Sequence, residues 1–163
     1  MQRSVCFTGH REISENTVKL FNRLYTCLEK LITEENVTDF YAGGAVGFDT
    51  IAAKCVLSLR EKYKDVRLHL VLPCPNDEQT KGWSAGEKFD FRIILQRADS
   101  VEITSPSRTK YCMKIRNARL VEQADSFCVC YYDKTVKSGT GQTVGFAQKK
   151  GLTIINVFET EEE

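Results

Sequence analysis

Six short segments rich in β-branched and apolar residues alternate with helical patterns along the chain: Val5–Thr8, Thr38–Ala42, Val66–Leu72, Ser100–Thr104, Phe127–Tyr132 and Thr153–Phe158. A strand, a crossover helix and a second strand in one sheet form a right-handed parallel unit, because the helix must pack back onto a twisted sheet. Repeated along the chain, this pattern predicts an α/β fold, a three-layer αβα sandwich around a mainly parallel sheet of about six strands. The clearest helix carries Val18, Phe21, Leu24, Tyr25, Leu28, Leu31 and Ile32 on one face. Ser14 is its expected N-cap and Asn16 the alternative. Further helices are predicted over Phe48–Tyr63, Ser84–Arg97, Lys110–Gln123 and Gly141–Lys149.

The chain has 163 residues, and at this length folding buries roughly 70% of the surface of the unfolded chain, enough for a core without metal or disulfide staples. One domain is expected over residues 1–158, followed by a solvated, frayed acidic tail over 159–163. Twenty-three Lys and Arg against 22 Asp and Glu leave a formal charge of +1, which excludes a dedicated duplex-DNA binder and makes any anion site local. The longest apolar run, Phe127 to Tyr132, falls far short of the ~18 residues of a membrane span. The N-terminus lacks the apolar core of a secretory signal, so a cytoplasmic protein is expected. Seven cysteines without a Cys-x-x-Cys pair read as reduced thiols and not as a zinc site, and no metal is assigned. Cys128 and Cys130 share one strand face as small buried hydrophobes.

In an open α/β sheet, ligands bind outside the carboxyl ends of the strands. Three segments there combine glycine with polar side chains: Thr8-Gly9-His10-Arg11-Glu12, Gly43-Gly44-Ala45-Val46-Gly47-Phe48-Asp49 and Ser138-Gly139-Thr140-Gly141. Glycines at a helix start let backbone N–H groups face an anion. Neither the dinucleotide nor the P-loop spacing is present. Asp49 is suited to capping a helix or holding a ribose hydroxyl. Arg108, Lys110, Lys114, Arg116 and Arg119 concentrate positive charge before the fifth strand, while Asn117 falls on the apolar stripe of the same helix. Arg116 and Asn117 are therefore candidates to reach the glycine loops. His10 and Arg11 can meet a phosphate or a base. His69 reads as a sheet histidine and Cys74 as a weak nucleophile candidate; Trp83, Phe89 and Phe91 form either one wall of a base pocket or part of the core.

Taken together, Thr8-Gly-His-Arg11, Gly43-Gly-Ala-Val-Gly-Phe-Asp49, Arg116-Asn117 and Ser138-Gly-Thr140 resemble the YpsA-like branch of the SLOG superfamily, over Val5 to Val157. The resemblance implies a Rossmann-like fold, a homodimer, and a nucleotide or nucleotide-derived ligand such as ADP-ribose, NAD or an AMP-like molecule, with no required cofactor. The residues it singles out are Gly9, His10, Arg11, Gly43, Gly44, Gly47, Asp49, Arg116, Asn117, Ser138, Gly139 and Thr140. The related LOG phosphoribohydrolases cleave the N-glycosidic bond of nucleoside 5′-monophosphates, and their motif matches at Arg116 and Gly139-Thr140. Their catalytic Glu position is Thr143 here, a hydroxyl that cannot take the charge of an oxocarbenium-like state. No residue is assigned as catalytic. Asp49, Glu12 and Glu87 are the carboxylates that can substitute if the chain is a hydrolase. A third reading, single-stranded DNA binding as in DprA, rests on the basic run alone, and nucleic acid is not the expected partner.

Overall fold

The computed structural model describes residues 2–159. Its elements run β1 (Arg3–Gly9), α1 (Thr17–Glu35), β2 (Val37–Ala42), α2 (Phe48–Lys62), β3 (Arg67–Leu72), α3 (Asn76–Gln79), α4 (Ala85–Arg97), β4 (Ser100–Ile103), α5 (Cys112–Gln123), β5 (Phe127–Tyr131), α6 (Gly139–Lys150) and β6 (Thr153–Asn156). The six strands form one sheet of order β4-β3-β2-β1-β5-β6. Every pairing is parallel, so the sheet is wholly rather than mainly parallel. From β1 the chain steps outward through β2, β3 and β4, then returns to β5 on the other side. The reversal places a topological switch point between the carboxyl ends of β1 and β5, where two loops diverge and leave a crevice.

Strand alternation divides the core in two. Val5 and Phe7 of β1, Phe40 of β2 and Val129 of β5 face Leu20, Leu24 and Leu28 of α1 and Ala52 and Val56 of α2. Cys6, Cys128 and Cys130 point to the opposite face, against Leu120 and Val121 of α5 and Val144 and Ala147 of α6. The two β5 cysteines are buried in this second core, as the period-two pattern predicts. Both faces of the sheet are thus covered, which parallel strands require.

Several sequence expectations shift locally. The N-cap of α1 is Asn16, whose side chain accepts from the Val18 and Lys19 N–H groups, while the Ser14 hydroxyl bonds the Tyr131 hydroxyl at 3.2 Å. Val18 is 65% exposed and Leu20 takes its place in the buried stripe. Helix α5 starts at Cys112 instead of Lys110 and α6 at Gly139 instead of Gly141. The short α3, entered through Pro75, is too brief to leave a periodic signal. Of the acidic tail, Glu159 lies 3.6 Å from Arg23 Nε, and residues 160–163 lie outside the described residues. No described helix is long and apolar enough to cross a membrane.

A polar knot ties β2, β3 and β4 across the edge of the sheet. Asp39 Oδ1 lies 2.7 Å from His69 Nε2 and accepts from Arg67 Nε at 3.0 Å, and Thr38 Oγ1 donates to Oδ2. His69 Nδ1 meets Ser100 Oγ at 2.6 Å, so His69 is the satisfied sheet histidine its position suggests. Burial disfavours charge on Asp39, but the hydrogen bonds from His69, Thr38 and Arg67 outweigh it and hold the carboxyl below its ordinary 3.8. A lowered acid stabilises the fold above its unfolded pKa and loses that stabilisation as pH falls through the folded value. Asp39→Asn should therefore cost about 1–2 kcal/mol at pH 7, with the gap to the unsubstituted chain closing below pH 3.8 in urea melts followed across pH. Asn16→Ala should cost about 1 kcal/mol, seen as a lower thermal midpoint, whereas Ser14→Ala should leave α1 capped.

Candidate functional site

At the switch point lies a cavity of about 490 Å³. The end of β1 contributes Thr8, Gly9, His10, Arg11 and Glu12, and the loop after β2 contributes Ala45 and Asp49. Helix α5 adds Met113, Arg116, Asn117 and Leu120, the β5–α6 loop adds Val136 and Ser138, and the first turn of α6 adds Gly139 and Thr140. Four sequence segments far apart in the chain thus meet where strand order reverses.

Arg116 forms the floor. It sits on the inward face of α5 and is only 6% exposed. Its Nη1 donates to the Gly43 carbonyl at 2.6 Å, its Nε to Asn117 Oδ1 at 2.9 Å and its Nη2 to Met113 Sδ at 3.7 Å. No carboxylate bonds this guanidinium among the described residues. Burial pulls its pKa down, opposed by the charge of nearby Asp49. Burial likewise pushes the Asp49 carboxyl up, opposed by Arg116 and by the Ala45 N–H, which donates to Oδ2 at 3.2 Å. Asp49 Oδ1 has no partner.

The glycines of the second loop serve close approach. A Cβ on Gly43 would lie 2.6 Å from Arg116 Nη1 and 2.9 Å from Asp49 Oδ2, so the absent side chain makes room for both charges. Gly44 has φ +73°, and its carbonyl accepts from Gln79 Nε2 of α3 at 3.1 Å. Gly47 has φ +80°, and a Cβ there would stand 2.2 Å from the Arg11 carbonyl oxygen. The Phe48 N–H donates to the His10 carbonyl at 3.1 Å, clamping the first two loops together. Gly43, Gly44 and Gly47 do not line the cavity, whereas Gly9, His10, Arg11, Asp49, Arg116, Asn117, Ser138, Gly139 and Thr140 do.

The opposite wall is the start of α6. Ser138 occupies the N-cap position without a side-chain capping bond; its hydroxyl lies 3.1 Å from His10 Nδ1 instead. His10 Nε2 accepts the Asp133 N–H at 2.8 Å. The ring hydrogen therefore resides on Nδ1 and is donated to Ser138 Oγ. His10 cannot take the Ser138 proton in this tautomer, which leaves the serine hydroxyl as a hydrogen-bond donor to the cavity and not as an activated nucleophile. The Gly139 and Thr140 N–H groups have no acceptor among the described residues, and they carry the positive end of the α6 dipole. Asn117 Nδ2 faces this turn, 3.7 Å from where a Cβ on Gly139 would lie.

Other sequence candidates fall elsewhere. Glu87 caps α4: its Oε1 accepts the Ser84 N–H at 2.9 Å, while Ser84 Oγ accepts the Glu87 N–H. Thr143 is fully buried, and its hydroxyl donates back to the Gly139 carbonyl at 3.2 Å. Cys74 is buried outside the cavity lining, and burial pushes its thiol up, away from nucleophilic use. Trp83 packs edge-on against buried Phe91 at 5.6 Å, and Phe89 is 58% exposed, so the three do not wall a base pocket here. Of the basic run, Arg116 turns inward and Arg119 is held by Glu102 and Glu122. Sequence reasoning missed Asp133 and Gln79. The first acts through a backbone N–H and the second from an unforeseen helix, and neither leaves a motif.

The YpsA family model, described as the YspA SLOG family, matches residues 6–156. The chain belongs to this family. The match runs from β1 to β6 and contains every residue that lines the cavity. The chain is 32% identical over 148 residues to the uncharacterized SPbeta prophage-derived protein YoqJ of Bacillus subtilis (strain 168), covering 83% of this chain and 84% of YoqJ. It is 24% identical over 158 residues to a UPF0398 protein of Bacillus thuringiensis (strain Al Hakam), covering 90% of this chain and 83% of that protein. A UPF0398 protein of Bacillus cereus (strain AH187) matches to the same extent.

The loop geometry of this YpsA family member yields a paired stability test. Gly47→Ala meets both a positive φ and a backbone oxygen, and should cost roughly 2–4 kcal/mol. Gly145→Ala, inside α6 with nothing within 4 Å of the new Cβ, should be neutral or stabilise by up to about 1 kcal/mol. Chemical denaturation of the two variants checks both signs.

Proposed function

We propose that the chain binds a nucleoside phosphate in the switch-point cavity and acts as a sensor or carrier of that ligand. One observation carries this reading: a buried guanidinium with no bonded carboxylate and an uncapped helix N-terminus line the same cavity. Asp49 stands near Arg116 without bonding it, so the guanidinium keeps N–H groups that call for an acceptor, and a helix start without acceptors attracts an anion. A phosphate supplies both. Its oxygens would accept from the Gly139 and Thr140 N–H groups, the Ser138 hydroxyl and the unused Arg116 N–H groups, while Asn117 Nδ2 and Arg11 contact the ester or the sugar. The cavity volume of about 490 Å³ falls within the range that holds a small ligand.

A second reading, N-glycoside hydrolysis, has its own observation. Glu12 and Asp49 both line the cavity, and burial favours the protonated form of Asp49, the form a general acid requires. The two readings share one binding step and separate on product.

A thermal-shift panel of AMP, NAD and ADP-ribose against free adenine tests the first. At 100 times Kd a ligand stabilises by about 2.7 kcal/mol, which for a chain of this size raises the midpoint by roughly 5–10 °C. Phosphorylated nucleosides should give that shift and adenine should not. Ser138→Ala and Asn117→Ala should each weaken binding by about 5–10-fold, one hydrogen bond's worth. No shift with any phosphorylated nucleoside overturns the proposal. Chromatography of the same samples reads the second: release of free base, lost in Asp49→Asn, would make the chain a hydrolase, and intact nucleotide would remove that reading.

A further inference from the structure

Toward the amino ends of the strands, remote from the crevice, Asp39, His69 and Ser100 stand on the neighbouring strands β2, β3 and β4. Tyr41, two residues after Asp39, and Ser100 are the register partners of His69, so all four side chains share one face of the sheet. His69 Nε2 lies 2.7 Å from Asp39 Oδ1, and His69 Nδ1 lies 2.6 Å from Ser100 Oγ. The Tyr41 ring stacks on the imidazole at 4.6 Å between centroids and fixes its plane. The His69 and Asp39 side chains are only 15% and 18% exposed, whereas Ser100 is open to solvent. A shielded carboxylate, an oriented imidazole and an accessible hydroxyl in series, each at hydrogen-bond distance, are the arrangement that activates a serine.

The position of the ring hydrogen decides whether the serine is activated. Burial disfavours charge on Asp39, but the hydrogen bonds from His69, Thr38 and Arg67 outweigh it and keep the group ionised. A carboxylate only accepts, so the hydrogen of the neutral ring sits on Nε2. Nδ1 is left with its lone pair, and Ser100 Oγ donates to it. His10 is the opposite case, because its Nε2 accepts the Asp133 N–H and its hydrogen points at Ser138. Ser100 therefore meets a ring nitrogen that can take its proton, and Ser138 does not. The backbone adds a donor. Strand β4 is the edge of the sheet, and the Asp99 N–H points inward to the Leu68 carbonyl at 2.8 Å. Alternation turns the next N–H, that of Ser100, to the open edge, where it can donate to the oxygen of a carbonyl attacked by Oγ.

We propose that Ser100 is a reactive centre apart from the crevice, a nucleophile toward carboxylic esters, with His69 as its general base and Asp39 as the residue that positions the ring. Ser100 Oγ attacks the ester carbonyl carbon while its proton passes to His69 Nδ1. The tetrahedral intermediate collapses as the bond to the leaving alcohol breaks and that proton is delivered to the departing oxygen, which gives an acyl-serine and a free alcohol. Water then attacks the acyl group, losing a proton to His69 Nδ1, and the same proton returns to Ser100 Oγ as the carboxylic acid leaves. An exposed hydroxyl has little wall with which to bind a substrate, so the centre takes small esters with a good leaving group. It shares no residue with the switch-point cavity and stands or falls independently of the nucleoside-phosphate reading.

A fluorophosphonate, which phosphonylates an activated serine and releases fluoride, and p-nitrophenyl acetate test this centre on the full chain. Fragment-ion mass spectrometry should place one phosphonyl group on Ser100, added at least about 100-fold faster than to exposed Ser107, which bonds no histidine. Ser100→Ala, a change at an exposed position, should abolish that label and reduce ester hydrolysis to the background rate. His69→Ala should slow labelling by at least about 100-fold, and added imidazole should restore part of it. Asp39→Asn should slow labelling by at least about 10-fold, and Asp39→Glu should recover most of the loss. Labelling of Ser100 no faster than of Ser107, or a full rate in folded His69→Ala without imidazole, overturns the proposal. A label on Ser138 instead of Ser100 overturns it as well, since it moves the reactive serine into the crevice. Should His69→Ala not fold, the ratio of Ser100 to Ser107 labelling and the Ser100→Ala variant decide alone.

Discussion

The contact on which the crevice depends is the Arg116 guanidinium bonded to the Gly43 carbonyl at 2.6 Å. A charge this deep is tolerated only where its donors find acceptors and an opposite charge stands close. The Gly43 carbonyl and nearby Asp49, both from the segment after β2, and the amide of neighbouring Asn117 supply those conditions. That single side chain therefore joins α5 to the loop after β2. It also explains the glycine at 43. Any Cβ there would overlap both the guanidinium and the Asp49 carboxylate.

From this joint the remaining loops follow. Asp49 is drawn inward at the first turn of α2 and takes the Ala45 N–H, so the donor that the glycine-rich loop would offer an anion is already used. Gly47 brings that loop against Arg11, and Phe48 bonds the His10 carbonyl, which fixes the end of β1. His10 in turn is set by the Asp133 N–H and passes its own hydrogen to Ser138. The chain of contacts runs from α5 through two loops to the start of α6. The anion-seeking donors are concentrated at its far end, in a helix turn that no side chain caps.

How much of this the sequence discloses depends on the kind of signal. The fold is legible because alternation of strand and helix is a pattern of many residues, and small slips such as Ser14 for Asn16 or Gly141 for Gly139 do not disturb it. The site is legible where it is made of unusual side chains: His10, Arg116, Asn117 and the Ser138 segment stand out against their surroundings. What the sequence hides is direction. Gly43, Gly44 and Gly47 mark a tight loop, yet whether the N–H groups of such a loop face a cavity or an internal carboxylate is settled by tertiary packing. The basic run before β5 shows the same limit. Its five cations look equivalent in sequence, but helical phase buries Arg116 and hands Arg119 to Glu102 and Glu122.

The near balance of total charge also acquires a physical meaning. A net charge of +1 gives no long-range field of one sign, so the charges that shape the crevice act locally, over a few ångströms in a low-dielectric surround. The crevice is arranged on that scale. Arg116 and the start of α6 line the main cavity, Glu12 and Asp133 line an adjoining hollow of about 220 Å³, and His10 lines both with its two ring nitrogens occupied. Because the ring carries its hydrogen toward Ser138, His10 donates on the side of α6 and accepts on the side of Asp133. The polarity of the crevice is thus fixed by one backbone N–H, that of Asp133.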